Sequence, residues 1–316
     1  MGILITGGGG FTGSRVADYF LQKNEKVIIF DIAFSGYLKK LSSDRLVLLK
    51  GDVSNWHEVF NVVKEHNIET IFHLAAMLTV SSEANPWASI NVNALGTYHV
   101  LEAARLFKVK KVLFTSSIGA YGVTQETIVT NNTVQRPNNI YGISKVFSEL
   151  LGMYYCKKFG IDFRGVRFPS LLGPGVTTPG VGQYNPLVIE AAIKGEPFEI
   201  WAPEDTIIPM MYIKDAVRCL VMLYEASDKK INTRMYNVGQ ITPAPTANEL
   251  VAVIKQFYPE ANITFKPDST VMEILKSIPR VITSDEAEAE WGWSISYSIM
   301  DTVRDFIDEF KRLSDL

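Results

Sequence analysis

Through the first half of the chain, short unbroken apolar runs alternate with longer stretches whose apolar residues recur at helical spacing. "ILIT" is the first apolar run, and Val16, Ala17, Phe20 and Leu21 then fall on one helical face between Phe11 and Lys23. "KVIIF" leads to Asp31, "LVLLK" follows, and Trp56 to Glu65 reads as a helix before "TIFHLA". Asn91 to Phe107, "KVLFTS", Tyr141 to Phe159 and "DFRGVRF" continue the alternation. Unbroken apolar strands separated by helices predict a parallel sheet buried on both faces, joined by right-handed crossovers. The fold class is therefore α/β, with a doubly wound parallel sheet.

After Phe168 the pattern changes. "PSLLGPGVTTPGVGQYNP" has no period, but it keeps apolar and aromatic residues among its glycines and prolines. It reads as an ordered loop over a site rather than a linker. Beyond it lie helices near Leu187 to Lys194, Lys214 to Glu225, Ala247 to Tyr258 and Ser298 to Leu313, and strands at "FEIW" and "MYNVG". The expected division is a nucleotide-binding part at 1–170, to which 212–240 returns, and a smaller α/β substrate-binding part within 171–316.

Composition narrows the class. The chain has 316 residues, 47% hydrophobic and 21% charged, with net charge -3. That is ordinary for a globular enzyme and lacks the basic excess of a nucleic-acid surface. No apolar run approaches the ~18 residues of a membrane span. No basic leader precedes Ile3, so a cytoplasmic protein is expected. Met1 to Thr6 matches an N-myristoylation pattern, but Ile3 to Ile5 reads better as a buried strand. Cys156 and Cys219 lie in helix-like stretches and are expected to be buried free thiols. No metal-ligand spacing is present, so no metal is expected.

The sharpest local signal is "TGGGGFTG", between the first strand and the first helix. Gly7, Gly10 and Gly13 have the spacing of a dinucleotide-binding turn: one glycine for the bend, one for close approach of a pyrophosphate, one for helix-on-sheet packing. Free amides at the helix start, near Phe11 and Thr12, would face the phosphates. Asp31 ends the second strand, where a carboxylate can bind ribose hydroxyls and repel a 2′-phosphate, and positions 32 to 36 hold no arginine. NAD is therefore the expected cofactor. Asp52 and Val53 could reach the adenine, and Leu74, Ala75 and Ala76 would let the cofactor pass close to the backbone.

"NIYGISK" places Tyr141 and Lys145 on one helical face, and Ser117 ends the fifth strand nearby. A phenol with an unperturbed pKa of ~10 needs help to act as a base near neutrality. A lysine ammonium and a cationic nicotinamide would both favour phenolate. Ser117 can orient a substrate oxygen or stabilise its developing charge.

Together these motifs resemble the extended short-chain dehydrogenase/reductases, the NAD-dependent epimerase/dehydratase group. "TGGGGFTG", "FD", "GDV", "HLAA", "NVNALGT", "TSSIGAYG", "YGISK" and "RFPSLLGPG" occur in the family's order over about the first 175 residues. The resemblance implies a Rossmann-type fold and a Ser117, Tyr141, Lys145 catalytic set. It also implies Asn93 as a cofactor residue, Phe168-Pro169 behind the nicotinamide, and a homodimer formed through a four-helix interface. "SELLGMYYCKKFGIDFRGVRFP", "IIPMMYIKDAV" and "EAEWGWSISYS" are similar to the short-chain type of L-threonine 3-dehydrogenase. That likeness implies oxidation of a small polar secondary alcohol and substrate contacts from Thr79, Ser117, Tyr141, Gln183 and Tyr184. Where that subfamily carries a threonine pair and an acid, this chain has Val181-Gly182-Gln183-Tyr184, with no carboxylate.

Two other functions share parts of this pattern. A nucleotide-sugar epimerase or dehydratase uses the same Ser-Tyr-Lys set, with arginines for the diphosphate; here Ile207-Ile208-Pro209-Met210-Met211 is apolar. A non-catalytic NAD-binding regulator would typically have lost the tyrosine or the lysine.

Overall fold

The computed structural model describes residues 2–314, apart from positions 35, 124, 125, 177–179, 270, 271, 273, 274, 276 and 277. Part of the glycine- and proline-rich loop after Phe168, and Met1 of the acylation pattern, therefore lie outside the described residues.

Among the described residues, seven strands form one parallel sheet. They are β1 (Gly2–Thr6), β2 (Lys26–Asp31), β3 (Leu46–Lys50), β4 (Ile68–His73), β5 (Lys111–Ser117), β6 (Asp162–Phe168) and β7 (Met235–Asn237). From edge to edge the order is β7-β6-β5-β4-β1-β2-β3. The direction of winding reverses between β1 and β4, and the carboxyl ends on either side of such a reversal form the natural ligand crevice of an open α/β sheet.

The apolar runs account for the strands. Gly2 to Thr6 is buried throughout, as a central strand covered on both faces must be. Edge strand β3 is only half covered, and its Leu48 is exposed. One core cluster joins Ile5, Val16, Phe20 and Ile29 of the first strands and helix to Tyr212, Leu220, Val303 and Phe306 from the C-terminal part. A second, on the opposite face of the sheet, contains Leu4, Ile28, Val59, Leu101 and Phe163. The C-terminal residues thus share a core with the sheet.

The helices that shape the site begin with α1 (Phe11–Gln22), which follows the glycine turn directly. Next come α2 (Thr79–Ala84) and α3 (Gly96–Leu106). Helix α4 (Ile140–Phe159) is well delimited: the Asn139 side chain accepts from the Gly142 amide at its start, and Gly160, at φ +72°, ends it in the left-handed conformation. Lys157 and Lys158 occupy its last turn, where cations complement the exposed carbonyls.

The expected regular helix from Asn91 to Phe107 differs in its first part. Ile90–Leu95 forms a π-helical segment between Pro86–Ser89 and α3. Such widened turns free backbone groups for other partners and occur often at functional sites. Here the Asn93 carbonyl accepts from the hydroxyls of Thr97 (2.6 Å) and Ser148 (3.2 Å).

Among the described residues, short strands also pair outside the main sheet; of these the sequence shows Phe198–Ile200, at "FEIW", while the others carry too little periodicity. Ser170–Leu172 pairs in parallel with Met210–Tyr212, and Phe198–Ile200 with Ile263–Phe265. Helix α5 (Tyr184–Lys194) and α6 (Ile213–Glu225) complete the surroundings of the cleft. Cys219 is buried in α6 and Cys156 half-buried in α4, both as free thiols. No helix among the described residues is long and apolar enough to cross a membrane.

Candidate active site

A cleft of about 990 Å³ runs along the carboxyl ends of β1, β2, β4, β5 and β6. At one end lies the glycine turn. Gly7 has φ +70°, and a Cβ there would stand 2.5 Å from the Ala75 amide nitrogen, so both the bend and the approach to the β4 loop require glycine. A Cβ on Gly13 would meet the Gly7 carbonyl oxygen at 2.4 Å. A Cβ on Gly10 would meet the Gly7 oxygen at 3.3 Å and little else among the described residues, which leaves that face open towards the cleft. Gly10, Phe11, Thr12 and Gly13 all line it, as an anion site at a helix start requires.

Asp31 stands beside this turn. Its carboxylate accepts from the Gly9 amide (2.9 Å) and the Ala33 amide (3.2 Å). Burial raises its pKa, with the Ala33, Gly9 and Ile32 amides opposing. Asp52, Val53, Leu74, Ala75 and Ala76 also line the cleft. Asp52 is further braced by its amide, which donates to Glu58 at 2.8 Å. An acid beside an open glycine cradle fits an NAD ribose and diphosphate.

At the other end, Ser117, Tyr141 and Lys145 converge from the end of β5 and the first turns of α4. The Ser117 Oγ accepts from the Gly119 amide (3.1 Å), which leaves its own hydroxyl hydrogen to donate. Its hydrogen bond to the Tyr141 phenol favours phenolate. Burial acts the other way and dominates, pushing the phenol up to about 12. The Lys145 Nζ donates to the Thr115 carbonyl (2.7 Å), and burial pushes its pKa down to about 8, against the field of Glu149. Lowering the phenol against burial therefore calls for positive charge from a bound ligand as well as from the lysine.

A buried network braces this end from behind. Glu149, one turn beyond Lys145, accepts from Arg167 (2.7 Å), Gln135 (2.9 Å) and Ser116. Arg167 also reaches the hydroxyl of Tyr121 (3.2 Å). Beneath the cleft floor His73 lies between Thr6 Oγ1 (2.7 Å) and Thr97 Oγ1 (3.0 Å). Burial, helped by the Lys145 charge, depresses its pKa to about 3, so it is neutral.

Of the other expected residues, Thr79, Gln183 and Phe168 line the cleft. Two do not. Asn93 is buried behind the wall: its Oδ1 accepts from the Met77 amide (2.8 Å) and its Nδ2 donates to the Met77 carbonyl (3.0 Å). It holds the loop after β4 rather than facing a ligand. Tyr184 is 1% exposed and turned into the C-terminal core, edge-on to Trp201. It opens α5 on the face that packs inward, which its place beside Gln183 in the sequence does not reveal. The lining also includes Thr115, Leu78, Ser81, Glu83, Ile208 and Pro279. Most of these lie on irregular backbone or short elements; Ile208 alone was singled out in the sequence, as part of an apolar stretch.

Residues 3–239 match the family described as the NAD dependent epimerase/dehydratase family. The chain is 31% identical over 306 residues to the mitochondrial L-threonine 3-dehydrogenase of Bos taurus, covering 95% of this chain and 80% of that protein. Among solved structures it is similar to a monomeric L-threonine 3-dehydrogenase from a metagenome, with TM-score 0.88 and 29% identity over 98% of this chain and 99% of that one. It also resembles the UDP-glucose 4-epimerase of Thermotoga maritima, with TM-score 0.86 and 24% identity over the full length of both chains, a likeness of fold alone.

Proposed function

The chain belongs to the NAD dependent epimerase/dehydratase family, and on that premise we propose that it oxidises the secondary alcohol of L-threonine to 2-amino-3-oxobutanoate. The observation that carries this reading is the make-up of the cleft wall. Ser117, Tyr141 and Lys145 meet at one end and Asp31 stands at the other, with no arginine among the described lining residues. A nucleotide-sugar substrate brings a diphosphate, which needs cations. The one lysine in the described lining is Lys145, and its ammonium is held by Thr115. A small polar alcohol makes no such demand.

Bound NAD supplies the hydride acceptor and a positive ring. The Ser117 hydroxyl holds the reacting oxygen. Tyr141, as phenolate, takes the alcohol proton as the carbon-bound hydrogen leaves. Lys145 contributes positive charge from the same face of α4 and fixes the helix against β5. Gly10 to Gly13 would seat the diphosphate, Asp31 the adenosine ribose, and Phe168 the back of the nicotinamide. Retention of both Tyr141 and Lys145 in the cleft favours turnover over a purely regulatory role.

We further infer a cytoplasmic homodimer. Leu95, Tyr98 and Leu106, with Phe147, Leu150 and Tyr154, are all exposed, whereas Leu101 and Tyr155 on the same helices point inward. An exposed apolar face on two adjacent helices suits pairing with a second copy as a four-helix interface. Residues 1–170 with 212–240 would carry the cofactor, and the remainder of 171–316 most of the substrate side.

The test is a substrate panel of hydroxy amino acids, hydroxy acids and nucleotide sugars, followed by NADH absorbance. Threonine-dependent NAD reduction supports the reading. A silent panel with epimerisation of a UDP-sugar replaces it with the epimerase.

A further inference from the structure

The loop before α5 lacks the acid of the subfamily, but carboxylates line the cleft elsewhere. Among the described residues three carboxylates line it: Asp31, Asp52 and Glu83. Asp31 ends β2 and Asp52 follows β3, at the glycine-turn end. Glu83 comes from α2, which packs on α4, and its Oε1 accepts from the Ile140 amide at 2.9 Å. That bond fixes the carboxylate one residue from Tyr141. Glu83 has no cationic partner among the described residues, and its Oε2 makes no hydrogen bond there. The same cleft carries a second idle acceptor, since Gln183 Oε1 is buried without a hydrogen-bond partner.

Glu83, exposed to the cleft, and the buried Gln183 Oε1 are thus two acceptors open to a donor from a ligand. The ligand group that complements them is an ammonium, which has three donors and no acceptor. Resting on the reading of the site as an alcohol dehydrogenase for a hydroxy amino acid, we propose that Glu83 binds the substrate ammonium and so selects amino-bearing alcohols over hydroxy acids. The carboxylate sits on α2, outside the loop where the subfamily carries its acid. By holding Ile140 through the other oxygen, it ties ammonium recognition to the placement of Tyr141.

A role confined to capping the start of α4 is the competing explanation, and Glu83→Gln separates the two. Glutamine keeps an oxygen for the Ile140 amide and removes the charge. The measurement is calorimetric binding of L-2-aminobutyrate and of butyrate to the NAD-saturated protein. These probes differ by the ammonium and cannot be oxidised as alcohols. The native protein should prefer the amino compound, and Glu83→Gln should reduce that preference about 10- to 100-fold, the range of a charge-assisted hydrogen bond. Glu83→Asp, which keeps the charge on a shorter arm, should retain part of it and serves if the glutamine variant does not fold. A preference unchanged in both variants, absent in the native protein, or lost only because both ligands weaken equally overturns the proposal. Intact Glu83-dependent selection without threonine oxidation would support the ammonium site and refute threonine as the substrate.

Discussion

The ammonium of Lys145 donates to the backbone carbonyl of Thr115 at 2.7 Å, tying the helix that carries Tyr141 to the strand that ends in Ser117. The lysine therefore does structural and electrostatic service at once. It fixes the spacing between base and hydroxyl, and its Nζ stands 5.6 Å from the ring centroid of a phenol that burial pushes up.

Tyr141→Phe should lower kcat by about 10²–10⁴-fold, the usual contribution of general acid–base catalysis, while NAD affinity stays close to native. Burial raises the phenol, and the active form is deprotonated, so native activity should climb as pH rises. Steady-state kinetics and NAD titration of the variant check both halves. Near-native turnover would move the base elsewhere.

Asp31 accounts for cofactor choice. Its carboxylate would accept from ribose hydroxyls and repel a 2′-phosphate. Asp31→Ala should weaken NAD and strengthen NADP relative to native, narrowing the preference by roughly tenfold or more, as loss of a hydrogen bond to a charged group implies. Fluorescence titration with both cofactors reads this directly; native affinity for NADP equal to that for NAD would contradict it.

Glu149 is a positioning residue for Lys145. Its field raises the lysine pKa against burial. Activity should fall once the lysine loses its proton, and Glu149→Gln should let the lysine pKa fall further, so that fall in kcat should begin at lower pH. The same change leaves Arg167 buried without its ion pair, and breaking such a pair typically costs about 3–5 kcal/mol. A lower melting temperature with an unmoved alkaline limb would leave Glu149 only a structural part.

The exposed apolar face on α3 and α4 predicts a dimer mass by light scattering at micromolar concentration. Charged substitutions at Phe147 and Leu150, which is 57% exposed, should yield monomers without lowering intrinsic stability. A native monomer would contradict the interface, and the similar metagenomic enzyme is described as monomeric.

What could be read from the sequence follows from the range of the forces involved. The six long strands and their helices are fixed by apolar period, and Gly7, Gly10 and Gly13 by backbone demands that only glycine meets. Ser117, Tyr141 and Lys145 were accessible because helical spacing puts two of them on one face next to a strand end. Tyr184 was misplaced because adjacent residues at a helix start point in different directions, and only the packing around Trp201 decides which turns inward. Asn93 bonds to the backbone of Met77 from within a π-helical turn, and no local pattern announces that turn. Glu83 lies on a six-residue helix with no clear period, and its place in the cleft depends on α2 packing against α4.

Hydride transfer from the threonine carbinol carbon to NAD is the central claim, and labelled substrate tests it most directly. L-threonine carrying deuterium at C3 should deliver that deuterium to the nicotinamide, giving NADH one mass unit heavier by mass spectrometry, in step with 2-amino-3-oxobutanoate formation. No net NAD reduction with threonine, alongside conversion of UDP-glucose to UDP-galactose, would contradict the account.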